Sequence, residues 1–233
     1  MAVYASTGGG VNETLSKKQA EEILRKINNA NQNCANAIAK EVKNFSVEVS
    51  FIWEDKNAVE YMKKLKSTIE KIIESLSSNN TKLCDAVTSI ANFYFSIGGM
   101  NTRISLNPQK IRADIDVSAV NEYFKNGYNR DEFGFKNIES GPIEVMNAFE
   151  NLKNELEKTM SQTVSEMQRI NAFGNYEVKN NIVKSAGKII EIVKEQIYYL
   201  KTETKEDVQE VADYYRKIGE SATQSATMRI KSE

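Results

Sequence analysis

The chain contains no histidine. That absence excludes Ser-His and Cys-His nucleophilic pairs, histidine-ligated zinc and the two-histidine metalloprotease helix in one step. Neither a Gly-x-x-x-x-Gly-Lys-Ser/Thr phosphate loop nor a Gly-x-Gly-x-x-Gly dinucleotide loop occurs. Catalysis is not expected, and neither is a cofactor or a bound metal. Proline appears twice and glycine eleven times in 233 residues, which leaves long stretches free of helix breakers. No run approaches the roughly 18 apolar residues of a membrane span. Residues 1–10 carry neither the basic start nor the apolar core of a cleaved signal, so export by that route is not expected. Charge of one sign is missing too. Lysine and arginine number 31 against 32 aspartates and glutamates, interspersed along the chain, so no extended positive field exists to hold a nucleic-acid backbone.

What is present is helical spacing. A composition of 40 % hydrophobic and 27 % charged residues is ordinary for a globular chain. Residues 1–14, with three consecutive glycines, have no periodicity and read as a tail. Ser16-Lys17-Lys18-Gln19 fits a capping box, with Leu15 placed to staple onto the next turn. From there Ala20, Ile23, Leu24, Ile27, Ala30, Cys34, Ala37, Ile38, Val42, Phe45, Val49 and Ile52 step by three or four. Lysines, glutamates and asparagines fill the opposite face. Phe45 to Phe51 also alternates by two, as a strand would, but the longer helical register runs through it and helix is the expectation. Phe51-Ile52-Trp53-Glu54-Asp55 must then be a turn. Asp55 is a good N-cap for a helix whose stripe runs Val59, Met62, Leu65, Ile69, Ile72, Ile73 and Leu76, crosses the polar patch Ser77 to Thr81, and resumes to Ile97. Helices of about 35 to 40 residues would each be about 50 to 60 Å long. In such a hairpin Cys34 faces a residue near position 74. Cys84 is then about 15 Å away, far beyond the reach of a disulfide, so both cysteines read as small buried hydrophobes.

Residues 99–141 break the pattern. Arg103-Ile104-Ser105-Leu106 and Ile111 to Val117 flank Asn107-Pro108-Gln109-Lys110, and the second run alternates apolar with charged residues. A β-hairpin is the expectation. Asp114 and Asp116 read as its solvated edge rather than as an acid-base pair. The aromatics Tyr123, Phe124, Tyr128, Phe133 and Phe135 suggest a short helix and an ordered loop that closes the end of the helical part or forms a recognition surface. Helical spacing returns at Ser140-Gly141-Pro142 and runs to Ile170. Phe173-Gly174-Asn175 repeats the aromatic-then-cap pattern of Trp53 and Asp55, and a further stripe runs from Val178 to Ile218. Sliding the halves by about 121 residues pairs Ile69 with Ile190, Leu76 with Ile197, Ala91 with Ala212 and Tyr94 with Tyr215. The expected class is mainly α: two long antiparallel helical hairpins in an elongated, pseudo-duplicated four-helix bundle with a small β-hairpin insert. The expected parts are a tail at 1–14, hairpins at 15–98 and 142–222, the insert at 99–141 and a tail at 223–233.

A helical hairpin with Trp53 in its turn and Ala58 and Val59 opening the second helix resembles the WXG family of small proteins exported by type VII secretion systems of Gram-positive bacteria. In that family the turn is Trp-x-Gly; here Trp53-Glu54-Asp55 puts aspartate in place of glycine, and the second half keeps only Phe173, Gly174 and Asn175. The resemblance implies a non-enzymatic interaction protein: a secretion substrate, targeting partner or accessory component, secreted without a cleaved signal or cytoplasmic before export. Its partners would be other helical proteins, a second copy, or the secretion ATPase. It also implies that Trp53 stands at the exposed end of the bundle, where a secretion component reads it. The family's Tyr-x-x-x-Asp/Glu export signal is matched by Tyr199 and Glu203, and by Tyr128 and Glu132 in the insert, whereas Tyr215 meets Gly219. The alternative is a structural subunit of a phage or extracellular assembly, whose terminal segments order between subunits.

Overall fold

The computed structural model describes residues 3–4, 14–97, 101, 103–104, 107–120, 134–170 and 176–231. The protein is mainly helical. Among the described residues four long helices run in chain order: α1 over Lys17–Ser50, α2 over Lys56–Ile97, α3 over Gly141–Gln168 and α4 over Tyr176–Lys231. Near the N-terminus, Val3–Tyr4 (β1) pairs antiparallel with Thr14–Leu15 (β2), in a stretch that the sequence marks as a tail. The starts of α1 and α2 follow from local chemistry. At Ser16 the backbone N–H donates to Gln19 Oε1 at 2.8 Å and the hydroxyl accepts from Gln19 N at 3.2 Å, which closes the capping box. Asp55 Oδ1 accepts the N–H of Ala58 at 2.8 Å and so caps α2. The alternation over Phe45 to Phe51 does not make a strand. Residues 45–50 continue α1, with Phe45 and Val49 buried on its apolar stripe. The polar patch Ser77 to Thr81 does not interrupt α2 either, and α4 continues to Lys231, through residues expected as a tail.

The chain divides into two compact units, and each helix contributes to both. Unit 1 comprises Met1–Ala39, Glu70–Asp114 and Leu156–Glu195. Its core gathers Leu24 and Ile27 from α1, Val87, Ala91 and Phe95 from α2, Ile104, Met167 from α3, and Ile182 from α4. Each such Leu or Ile removed from water contributes about 1.5–3 kcal/mol. Cys34 and Cys84 are free and buried here, as their spacing predicts; burial raises the Cys34 thiol to about 11 and the Cys84 thiol to about 12. The asparagines do not all lie on the outer face. Asn31 and Asn80 are fully buried and Asn28 nearly so. Asn31 Nδ2 donates to Asn80 Oδ1 at 2.8 Å and Asn80 Nδ2 donates to Asn28 Oδ1 at 2.8 Å, which links the three amides across α1 and α2, while Asn31 Oδ1 has no partner among the described residues.

Among the described residues the expected β-hairpin does not form: residues 107–117 carry neither helix nor strand, and Ser105 and Leu106 lie outside the described residues. The reason is that helix side chains take the backbone groups a partner strand would have taken. Asn92 accepts from Ile104 N at 2.8 Å and donates to Ile104 O at 3.2 Å. Gln32 likewise accepts from Arg112 N at 3.4 Å and donates to Arg112 O at 2.6 Å. The alternating apolar pattern was a true sign of one-sided burial, since Ile111 and Ile115 are buried while Arg112 and Asp114 are not.

Unit 2 comprises Lys40–Ile69, Ile115–Glu155 and Gln196–Glu233. Asp116 is more than a solvated edge. Its Oδ1 accepts from Ser118 N at 3.0 Å and from the Ser118 hydroxyl at 2.6 Å, capping the helical residues 118–120, while Oδ2 pairs with Lys43 at 2.9 Å. The Ser118 hydrogen bonds, then Lys43, hold this carboxyl well below the usual range.

Candidate interaction cleft at the Trp53 turn

The turn is built by the end of α1. The last helical carbonyls fold inward: Phe51 N donates to Glu48 O at 3.1 Å, and Ile52 N and Trp53 N both donate to Val49 O at 2.9 Å. Two further bonds fasten the turn to the segment before α3. Glu54 N donates to Gly134 O at 3.1 Å and Lys136 N to Ile52 O at 3.0 Å, making a single antiparallel bridge between Trp53 and Phe135. Lys136 also pairs with Glu54 at 3.1 Å and lies 5.6 Å above the exposed ring of Phe51.

Trp53 is not exposed. It keeps 1 % of its surface accessible, which overturns the expectation that a partner reads its indole directly. Phe135 covers one side, with ring centroids 5.1 Å apart and planes 27° apart, and Tyr61 stacks at 5.7 Å and 30°. Phe45 meets Tyr61 edge-on at 6.4 Å and Phe149 at 6.0 Å, so five aromatic rings run through the core of this unit. Of the two insert readings, Phe135 follows the one in which an aromatic closes the helical end. The indole Nε1 is buried and finds no hydrogen-bond partner among the described residues.

Asp55 does two jobs. While Oδ1 caps α2, Oδ2 accepts the Tyr215 hydroxyl at 3.1 Å and Asn57 Nδ2 at 3.4 Å, all with the residue 3 % exposed. Burial first, then the Asp55 charge and hydrogen bond, push the Tyr215 phenol well above its ordinary 10.0. The Tyr215 ring packs against Gly134: a Cβ there would fall 2.5 Å from Cδ2 and 2.8 Å from Cζ, so any side chain at this position must displace the ring. Tyr61 is fixed at its far end. Thr204 Oγ1 donates to Leu200 O at 2.6 Å, so its one proton is used and the Tyr61 hydroxyl, 2.9 Å away, is the donor between them. Burial raises the Tyr61 phenol as well.

These groups wall a cleft of about 540 Å³ lined by Trp53, Asp55, Lys56, Asn57, Glu60, Tyr61, Lys64, Asp207, Glu210, Val211, Tyr214 and Tyr215. Lys64 is held by both oxygens of Asp207, at 3.0 and 2.9 Å, and that bond leads the rise in its pKa. The lining has four carboxylates and two lysines, with Tyr214 largely exposed and set edge-on to Tyr215 at 5.4 Å. Tyrosine faces beside carboxylates form a surface suited to a cationic side chain.

Of the turn residues singled out in the sequence, Trp53 and Asp55 come together here, and Phe173, Gly174 and Asn175 lie outside the described residues. Tyr199 and Glu203 do not line the cleft; they sit one helical turn apart on α4, with Tyr199 62 % exposed and its hydroxyl hydrogen-bonded to Glu203. Sequence reasoning missed Tyr61, Gly134, Thr204 and Asp207. Comparison with known protein families, with curated proteins and with solved structures finds no match, so what this cleft does is read from its own residues.

Proposed function

We propose that this chain is a non-enzymatic interaction protein of type VII secretion, a substrate, targeting partner or accessory component. Its two helical hairpins pack as a four-helix bundle in this reading. The observation that carries it is the join between α1 and α2. A 34-residue and a 42-residue helix meet in a turn of five residues, and that turn holds the chain's single tryptophan. A helical hairpin with tryptophan in its turn is the feature on which the proposed likeness to the WXG family rests. Because Trp53 is enclosed, the partner meets the outer surface instead: the Tyr214 and Glu210 side of the cleft, and Tyr199 with Glu203 on α4. Aromatic residues exposed beside carboxylates on a helix are what a docking partner with basic residues uses.

The test is export. The untagged protein is followed in culture medium of its native host, against a strain lacking the secretion ATPase and with a cytoplasmic lysis marker. ATPase-dependent export, lost in Tyr199→Ala while helicity and melting hold, supports the reading. Retention inside the cell, or release only with lysis, overturns it and brings forward the assembly-subunit alternative.

A further inference from the structure

Ile104, Gln109, Ile111 and Arg112 are held by their backbone. Gln109 N donates to Asn28 Oδ1 at 3.3 Å and Gln109 O accepts from Asn80 Nδ2 at 2.9 Å. Ile111 N donates to Ser77 Oγ at 3.1 Å. Arg112 exchanges both backbone bonds with the Gln32 amide, and Ile104 does the same with Asn92. Gln32 and Asn28 stand on α1, and Ser77, Asn80 and Asn92 on α2. The N–H of residue 111 goes to α2 and that of residue 112 to α1, so both helices hold the segment. One primary amide that both accepts from and donates to the same residue reproduces the pair of bonds that one residue of an antiparallel partner strand supplies. The helices therefore treat this segment as a sheet edge treats an added strand.

The contacts that depend on side-chain identity are few: Ile104 and Ile111 are buried, whereas Gln109, Lys110 and Arg112 point outward and are exposed. Among the described residues, no hydrogen bond to a side chain of 104–112 accompanies these backbone bonds. The segment belongs to the connection between Ile97 and Ser118, and beyond Arg112 that connection is anchored again at the buried Ile115 and at Asp116, which pairs with Lys43.

We propose that this face of α1 and α2 is a binding groove for an extended polypeptide, filled in cis by Ile104 and residues 107–112, and that it accepts the same segment from a second copy of the chain. Reciprocal exchange would join two copies through identical grooves. Nothing in the groove distinguishes its own segment from the copy's. What favours the resident is its tether, which presents it at an effective concentration in the millimolar range.

The experiment weakens the resident and offers the segment in trans. A fluorescent peptide of residues 103–117 is titrated into the full-length protein and into full-length Ile111→Asp, whose resident has lost its buried anchor. The variant is expected to bind at least tenfold more tightly than the wild type, and a peptide that itself carries Ile111→Asp is expected not to bind. Asn80→Ala in the Ile111→Asp background is expected to abolish binding. A variant that keeps wild-type helicity and binds no peptide overturns the proposal. Hydrogen exchange of the unaltered protein tests it where the variant unfolds. The amides of Ile104, Gln109, Ile111 and Arg112 are expected to exchange together and faster than the core amides of α1 and α2, because the segment leaves without global unfolding. Exchange of these four at the slow core rate overturns the proposal.

Discussion

Replacing Trp53 separates a core role from a recognition role. The indole is 1 % exposed and stacked on both Tyr61 and Phe135, and truncating such a ring to alanine removes about 3–5 kcal/mol. Each stack contributes about 0.5–1.5 kcal/mol beyond area, which places Trp53→Ala toward the upper end. The buried Nε1–H, with no partner among the described residues, works against the native state by about 1–3 kcal/mol, and its removal brings the expected loss back to about 4 kcal/mol. With a urea slope of about 2 kcal/mol per molar, the unfolding midpoint falls by about 2 M. Trp53→Phe keeps a ring between Tyr61 and Phe135 and sheds the unpartnered donor, so its lost area is offset and the change stays within about 1 kcal/mol. The assay is urea unfolding followed by far-ultraviolet circular dichroism, which needs no tryptophan signal. A Trp53→Ala shift below about 1 kcal/mol would refute the enclosure of the indole. Equal damage from Trp53→Phe and Trp53→Ala would show that Nε1 does have a partner.

Two further perturbations probe the same unit. Gly134→Ala drives a methyl into the Tyr215 ring and is expected to destabilise by about 1–3 kcal/mol; in a Tyr215→Ala background the same substitution should lose most of that effect, and an unchanged penalty in the thermal melt would contradict the contact. Tyr61 and Tyr215 both have phenols raised above 10.0 in the folded state, chiefly by burial. Their contribution to stability is therefore complete below the unfolded phenol value and declines as pH rises past 10, because the unfolded chain releases protons that the folded chain retains. Melting temperatures measured from neutral to strongly alkaline pH should fall, less steeply in Tyr61→Phe, and identical slopes would exclude Tyr61 as a contributor.

The helices were legible because their signals are local. Ser16 with Gln19, and Asp55 with Ala58, make their bonds across three residues, and the stripe from Ala20 to Val49 needs only a period to be seen. The turn was legible as a turn and misread in its exposure, since the residue that covers Trp53 is Phe135, far along the chain in a stretch without periodicity. Likewise the strand pattern at 111–117 correctly reported alternating burial, while its partners turned out to be the Gln32 amide on α1 and the Ser77 hydroxyl on α2. Asparagine is polar in any scale of sequence hydropathy, so Asn31 was assigned to the outer face and Asn80 to a polar patch that the stripe crosses; only the geometry that pairs them makes burial tolerable. Tyr61 gave no sequence signal, as it adjoins Met62 on the stripe and its hydroxyl partner is Thr204.

Two amphipathic helices with evenly spaced aliphatic residues can slide past each other by one turn, about 5.4 Å, and find nearly the same hydrocarbon contacts again. The chain of amides through Asn31, Asn80 and Asn28 removes that freedom from α1 and α2. A slip of one turn would set these amides against aliphatic neighbours and break the hydrogen bonds that join them, while the aliphatic contacts changed little. The three asparagines thus act as a vernier mark that picks one alignment from several of similar apolar content. Leucine at all three positions would make a more hydrophobic pair of helices with more than one way to fit together.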